Sequence, residues 1–214
     1  MIREIQPGEP KSRILESAAK LFSEKGYAAV GVREIAQSAG VNLSMISYYY
    51  GGKIGALKAI IEEYFTHLKQ IVTEIKDAHL ESSERILSAH VTAMVKLFRN
   101  KSELCKVAIM EIPIDLPEVE EYKIRMMKEH LAMIENTFHS RVKPKRSPEL
   151  RAIIGPAFIS LVASHFLMGP ALSKIHNVEF NDEFYELYSQ AITALLLGGL
   201  SNLSSLQSSN ENKE

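Results

Sequence analysis

Arg33, Ser44, Ser47, Tyr48, Tyr49 and Lys53 fall within one short segment of this chain. Their chemistry is that of contact with nucleic acid. Arginine can grip a base edge with two donors, lysine and arginine meet phosphate, and hydroxyls donate and accept at either. A contact set of this kind needs a rigid support. The surrounding sequence, residues 32–53 (VREIAQSAGVNLSMISYYYGGK), reads as two short helices joined by a tight turn. Ile35, Ala36 and Ala39 form a small apolar face at helical spacing. Gly40 follows the last helical residue, where a left-handed backbone costs glycine little. Asn42 is placed to cap the second helix with its side chain. Ile46 and Tyr50 then point to the core, and Leu43, Ser44, Ser47 and Tyr48 point outward. A polar and tyrosyl helix held at an angle by a partner is how a helix-turn-helix enters the DNA major groove. A plain helical hairpin that binds no DNA fits the same pattern.

Composition narrows the classes. The 214 residues are 46% hydrophobic and 24% charged, enough for a real core in one or two domains. The single cysteine, Cys105, excludes an internal disulfide framework. Residues 1–11 are polar and do not resemble a signal peptide, so a reducing cytoplasm is the expected location. Net charge is -1, but residues 1–58 carry eight basic and five acidic side chains, a mildly basic head on an acidic body. Residues 152–173 contain no charged side chain over 22 positions, long enough to span a bilayer. Pro156, Pro170, Gly155, Gly169, Ser160, Ser164 and His165 interrupt that stretch. A helix buried in a large interface is the expectation, with no membrane.

The periodicity is helical throughout, with no convincing strand. Helices are predicted near 11–24, across the two short segments, over 53–77, 84–99, 102–112, 118–141, 147–168 and from 181 to Gly198-Gly199. Pro113 and Pro117 bracket a break, residues 143–146 read as a solvated linker, and Pro156 predicts a kink or a shifted start. The organisation expected is a helix-turn-helix DNA-binding domain over 1–52, an effector-binding and dimerisation domain over 53–200, and a flexible tail over 201–214.

Residues 11–60 resemble the TetR family of transcriptional repressors. The resemblance rests on the amphipathic first helix, Phe22-Ser23-Glu24-Lys25-Gly26-Tyr27, Val32-Arg33-Glu34-Ile35-Ala36, Ala39-Gly40-Val41 and Ile46 to Lys53. Beyond residue 60 only length and the all-helical pattern agree. The resemblance implies an all-α fold of about nine helices. Three bind DNA, and the rest form a ligand-binding and dimerisation body whose last two helices build a four-helix interface between subunits. It implies a dimer on a palindromic double-stranded operator, released when a small-molecule effector changes the spacing of the heads. Carried over by position, Arg33, Leu43, Ser44 and Ser47 face base edges, while Tyr48, Tyr49 and Lys53 meet phosphates. Lys53 also suits that role as a cation at a helix start, where free N–H groups attract phosphate. Arg33 has an alternative in phosphate or a nearby carboxylate. Four positions depart from the family pattern: Ser47 for a common tyrosine, Tyr50 for phenylalanine, Gly31 for a capping threonine and Ile54 for a common glutamate.

In the body, Cys105, Met110, Tyr122, Met126, Met127, His130, Met133, Phe158, His165 and Phe166 are the candidate lining of a largely apolar effector pocket, with ordinary core packing as the alternative. Ile154, Phe158, Leu161 and His165, with Phe184, Tyr188, Ala191 and Leu195, recur at helical spacing and are the expected homodimer faces. No cofactor or metal is expected, because the histidines have no ligand spacing with acids or Cys105. A helical enzyme and a protein-interaction module are the competing classes. The sequence has no Gly-rich phosphate loop followed by Lys-Ser/Thr and no nucleophile elbow.

Overall fold

The computed structural model describes residues 8–110, 116–138 and 148–211. Among these, nine helices and no strand occur: α1 Pro10–Lys25, α2 Val32–Ala39, α3 Leu43–Tyr50, α4 Lys53–Asp77, α5 Ser83–Asn100, α6 Ser102–Met110, α7 Pro117–Phe138, α8 Pro148–His176 and α9 Asp182–Glu211. Packing divides the chain into two units. One takes in Met1–Gln70 and Lys101–Glu135, the other Ile71–Asn100 and Asn136–Glu214.

In the first unit the apolar stripe of α1 is buried as its spacing predicts, at Ile14, Leu15, Ala18, Leu21 and Phe22. Ile35, Ala36 and Ala39 from α2 and Ile46 from α3 close the same core. α6 packs against α1, burying Leu104, Cys105, Val107 and Ala108. Lys106 on α6 donates to the Ser23 carbonyl near the C-terminal end of α1, where a cation suits the helix dipole. Lys58–Glu118 at 3.5 Å and Lys69–Glu129 at 3.6 Å tie α4 to α7. Such exposed pairs contribute about 0–1 kcal/mol each and set register more than stability.

In the second unit α5 packs on α8 and α9 through buried Val91, Met94, Val95 and Phe98 opposite Val162, Ala163, Ile192 and Leu196. His165 sits among aromatic rings, 4.4 Å from Phe180 and 5.0 Å from both Phe184 and Tyr188 by centroid. The Tyr188 hydroxyl donates to the Leu161 carbonyl at 2.7 Å, so the polar tip of this half-buried ring is satisfied.

Several element ends differ from the sequence reading. α8 does not stop near Met168 and does not start late at Pro156; it runs through Pro156, Gly169 and Pro170 to His176. Gly169 is buried beside the Phe180 ring, so it serves packing and not termination. The stop comes at Asn177, whose φ of 52° is the left-handed conformation of a helix end. Ser173 Oγ donates to the Val178 carbonyl at 2.9 Å and secures the turn. α9 continues past Gly198-Gly199 to Glu211. Neither glycine takes positive φ, and a glycine inside a helix costs about 1 kcal/mol without ending it. The predicted ends of the sixth and seventh helices at 112 and 141, Pro113, the 143–146 linker and the Ser147 cap lie outside the described residues.

Candidate nucleic-acid interface

α3 stands on a buried base. Ile46 is fully enclosed, and the half-buried Tyr50 donates its hydroxyl to the Lys11 carbonyl on α1 at 2.7 Å. That bond answers the extra oxygen this chain carries at position 50. Burial raises the Tyr50 phenol well above its ordinary value, so it stays a donor. Gly40 at φ 62° and Gly51 at φ 69° close α2 and α3 in the left-handed conformation. Asn42 does not cap α3 with its side chain: the backbone there is extended, the side chain is exposed, and its carbonyl takes the Met45 N–H at 3.0 Å instead.

With the base fixed, Leu43, Ser44, Ser47 and Tyr48 are exposed together on α3, Tyr48 at 82%. Tyr49 is half-buried and meets Tyr48 edge to face at 5.0 Å. Arg33 is exposed in the first turn of α2. Lys53, at the first position of α4, is not extended into solvent. Its ammonium lies 4.1 Å from the Tyr27 ring centroid and 3.4 Å from the Ala28 carbonyl, and partial burial lowers its pKa. Lys25 pairs with Glu34 and joins the end of α1 to the start of α2. The Lys25 hydrogen bond holds the Glu34 carboxyl below the ordinary range.

Two contributors were not singled out in the sequence. Tyr27 touches Lys53. Gly55 lies where a Cβ would stand 1.5 Å from the Tyr50 carbonyl oxygen.

The candidate effector residues split between the units. Cys105, Met126 and His130 are buried in the first, Tyr122 and Met133 are half-buried, and Met110 and Met127 are exposed. Burial pushes the Cys105 thiol up to about 12. In the second unit His165 is buried, Phe158 meets His90 at 5.4 Å, and Phe166 stacks on Phe98 at 5.4 Å. Among the described residues no group of three His, Cys, Asp or Glu side chains is arranged to hold a metal.

His130 gives a pH prediction. Its ring packs edge-on against Phe65 at 6.1 Å, and its Nδ1 has no hydrogen-bond partner among the described residues. Burial, with Lys69 nearby, lowers its pKa from 6.5 to about 4. Between those values the unfolded chain binds a proton that the folded chain refuses. Stability is therefore level above pH 6.5 and falls as pH drops toward 4, by roughly 2–3 kcal/mol. Urea midpoints measured across that window on wild type and His130→Gln check this. The variant should lose most of the slope and keep a remnant from His165, whose pKa burial also lowers.

The sequence pattern of the bacterial regulatory proteins of the tetR family matches residues 14–60. A probable HTH-type transcriptional regulator of Bacillus subtilis, YttP, is 28% identical over 189 residues, covering 85% of this chain and 89% of its own. The fatty acid degradation regulator FadR of Bacillus halodurans has the same fold, with a TM-score of 0.72 at 20% identity over 92% of this chain and 98% of its own. The Bacillus subtilis FadR, solved in complex with stearoyl-CoA, superposes with a TM-score of 0.67 at 19% identity over 88% of this chain and 98% of its own. The match falls on α1 to the start of α4, where the exposed face of α3 is braced by Ile46, Tyr50 and the glycine turns, and over these residues the chain carries the helix-turn-helix domain of the tetR-family regulatory proteins.

Proposed function

We propose that the protein is a dimeric repressor that binds a palindromic operator and leaves it when a small-molecule effector occupies the body. The observation that carries this reading is the exposed face of α3 on its base of enclosed Ile46 and hydrogen-bonded Tyr50. Residues 1–52 act as the DNA-binding domain, 53–200 as the effector and dimerisation domain, and the protein works in the cytoplasm. Arg33, Leu43, Ser44 and Ser47 read base edges, while Tyr48, Tyr49 and Lys53 meet phosphates.

The second support is an unpartnered apolar face on each of the last two helices. On α9 it runs Leu187, Ala191, Ala194, Leu195 and Gly198; on α8, Ile153, Ala157, Leu167, Ala171 and Ile175. This face is not the one the spacing suggested. His165 is buried in the aromatic cluster of its own subunit. Phe184 and Tyr188 are half-buried against it, and Phe158 is half-buried against His90. Of the residues expected at the interface, Ala191 and Leu195 are the ones that face outward. By length and composition Pro148–Gly169 is apolar enough to cross a bilayer. A twofold mate covers the same surface, and the serines at 160 and 164 on its exposed side suit a protein contact better than lipid tails.

The effector is largely apolar: in each unit the candidate side chains that are buried or half-buried, Met126, Met133, Phe158 and Phe166 among them, are mostly methionine or aromatic. Long-chain acyl-CoA is the first class to try, since the FadR of Bacillus subtilis was solved with stearoyl-CoA. Selection from a random duplex pool with effector-free protein tests the reading. An enriched palindrome is the expected result, and acyl-CoA should reduce its retention. Lys53→Ala should weaken binding to all sequences, and Arg33→Ala should also change the preference. If protein freed of any co-purified ligand by unfolding and dialysis enriches nothing at low salt, the assignment of the head is wrong.

A further inference from the structure

We propose that Tyr27 is a positioning residue for DNA binding: its ring fixes the Lys53 ammonium where that cation meets the phosphate backbone. The proposal rests on the reading of Lys53 as a phosphate ligand. A lysine at a helix start normally sweeps a wide volume on four flexible torsions, and ordering it costs more entropy than almost any other side chain. Here two contacts already hold the ammonium in the DNA-free chain. The Nζ sits 4.1 Å from the Tyr27 centroid, within the range at which the ring face attracts a cation. The Ala28 carbonyl, 3.4 Å away, takes a second interaction. An ammonium has three donors, so one remains for a phosphate oxygen.

Tyr27 is itself held. Its ring packs on Phe22 with centroids 5.2 Å apart, and Phe22 is fully enclosed in the core of the head. The support thus runs from the α1 core through Phe22 and Tyr27 to the cation. Partial burial also strips water from the ammonium in advance, so less must be removed when a phosphate docks.

The test uses a short mixed-sequence duplex, because phosphate contacts do not depend on sequence. Binding is followed by fluorescence anisotropy over a salt series for wild type, Tyr27→Phe, Tyr27→Leu, Lys53→Ala and the Tyr27→Leu/Lys53→Ala double variant. Lys53→Ala should weaken binding and lower the salt slope by about one per subunit. Tyr27→Leu should cost roughly threefold to tenfold, and Tyr27→Phe, which keeps the aromatic face, should bind like wild type. The double variant should bind no more weakly than Lys53→Ala alone. If Tyr27→Leu costs the same with or without Lys53, or costs nothing while Lys53→Ala weakens binding, the positioning role is wrong and the phosphate reading stands. If Lys53→Ala is inert, both fall. A DNA-free check covers a Leu variant that does not fold. The Lys53 ε-methylene protons should show upfield ring-current shifts in wild type and Tyr27→Phe, and their absence in wild type overturns the proposal.

Discussion

Gly55→Ala should destabilise the first packing unit by about 3 kcal/mol or more and abolish high-affinity DNA binding. The Cβ it adds would stand 1.5 Å from the Tyr50 carbonyl oxygen and 2.7 Å from the Tyr50 carbonyl carbon. Both are backbone atoms, so no side-chain rotation relieves the overlap. The cause is the tightness of the connection. Only Gly51 and Gly52 separate α3 from α4, at φ 69° and 118°. The second of these values is one that side-chain-bearing residues rarely adopt, and the reversal lays the end of α3 over the first turn of α4. To admit a methyl group, α3 must move by more than an ångström, taking Leu43, Ser44, Ser47 and Tyr48 with it. Ile46 and the Tyr50–Lys11 bond resist that motion, so the substitution strains the fold and displaces the exposed face of α3 together. Gly31→Ser is the control. A Cβ at Gly31 meets nothing within 4 Å, its φ of -97° is ordinary, and a serine cap in place of glycine changes stability by only a few tenths of a kcal/mol. Denaturation midpoints and duplex affinity for the two variants decide the point. A Gly55→Ala protein with wild-type midpoint and affinity would show that the Tyr50 carbonyl is not seated on Gly55.

Gly55 also shows where sequence reasoning loses its grip. α1 through α4 were legible through local signals: 3.6-residue apolar stripes, a Gly at the stops of α1, α2 and α3, and a proline at the first turn of α1. Leu43, Ser44, Ser47 and Tyr48 could be placed outward from Ile46 by the same periodicity. Gly55 gave no such signal: it falls inside the helix predicted over 53–77 as one more small residue, and only the approach of a neighbouring carbonyl explains it. Lys53 was legible as a cation at a helix start, but its partner Tyr27 lies 26 positions earlier, and no periodicity joins them. In α8 and α9 the failure has another cause. Both helices are apolar around most of their circumference, so the period cannot say which arc faces inward. Phe180, which lies between them in sequence, fills the space beside His165 and turns that arc into core. Leu187 and Leu195 are left on the outside.

Glutamate at Leu187 and Leu195 together should convert the proposed dimer to a monomer while leaving the subunit folded. These side chains are 63% and 62% exposed, so their replacement removes little from the core of the single chain. Leu187, Ala191, Ala194, Leu195 and Gly198 follow one helical face, and their small members let a mate's backbone approach closely. Across a twofold axis each substitution enters the contact twice, placing four carboxylates in an apolar surface without partners. Burying an unpaired charge costs several kcal/mol even after relaxation, which exceeds what an ordinary apolar contact returns. Loss of the second head then removes the gain from simultaneous engagement of two half-sites, on the order of a hundredfold or more in operator affinity. Ile124→Glu separates this from a general effect of removing exposed apolar groups. Ile124 is 44% exposed on α7 and lies off the proposed face, so that variant should remain dimeric. Sedimentation equilibrium reads the mass, circular dichroism the retained helix, and anisotropy the operator affinity. A double variant that still sediments as a dimer would place the interface on another surface and remove the second support for the palindromic reading. A folded monomer that has lost the palindrome but keeps weak, salt-sensitive duplex binding would separate what α3 contributes alone from what pairing adds.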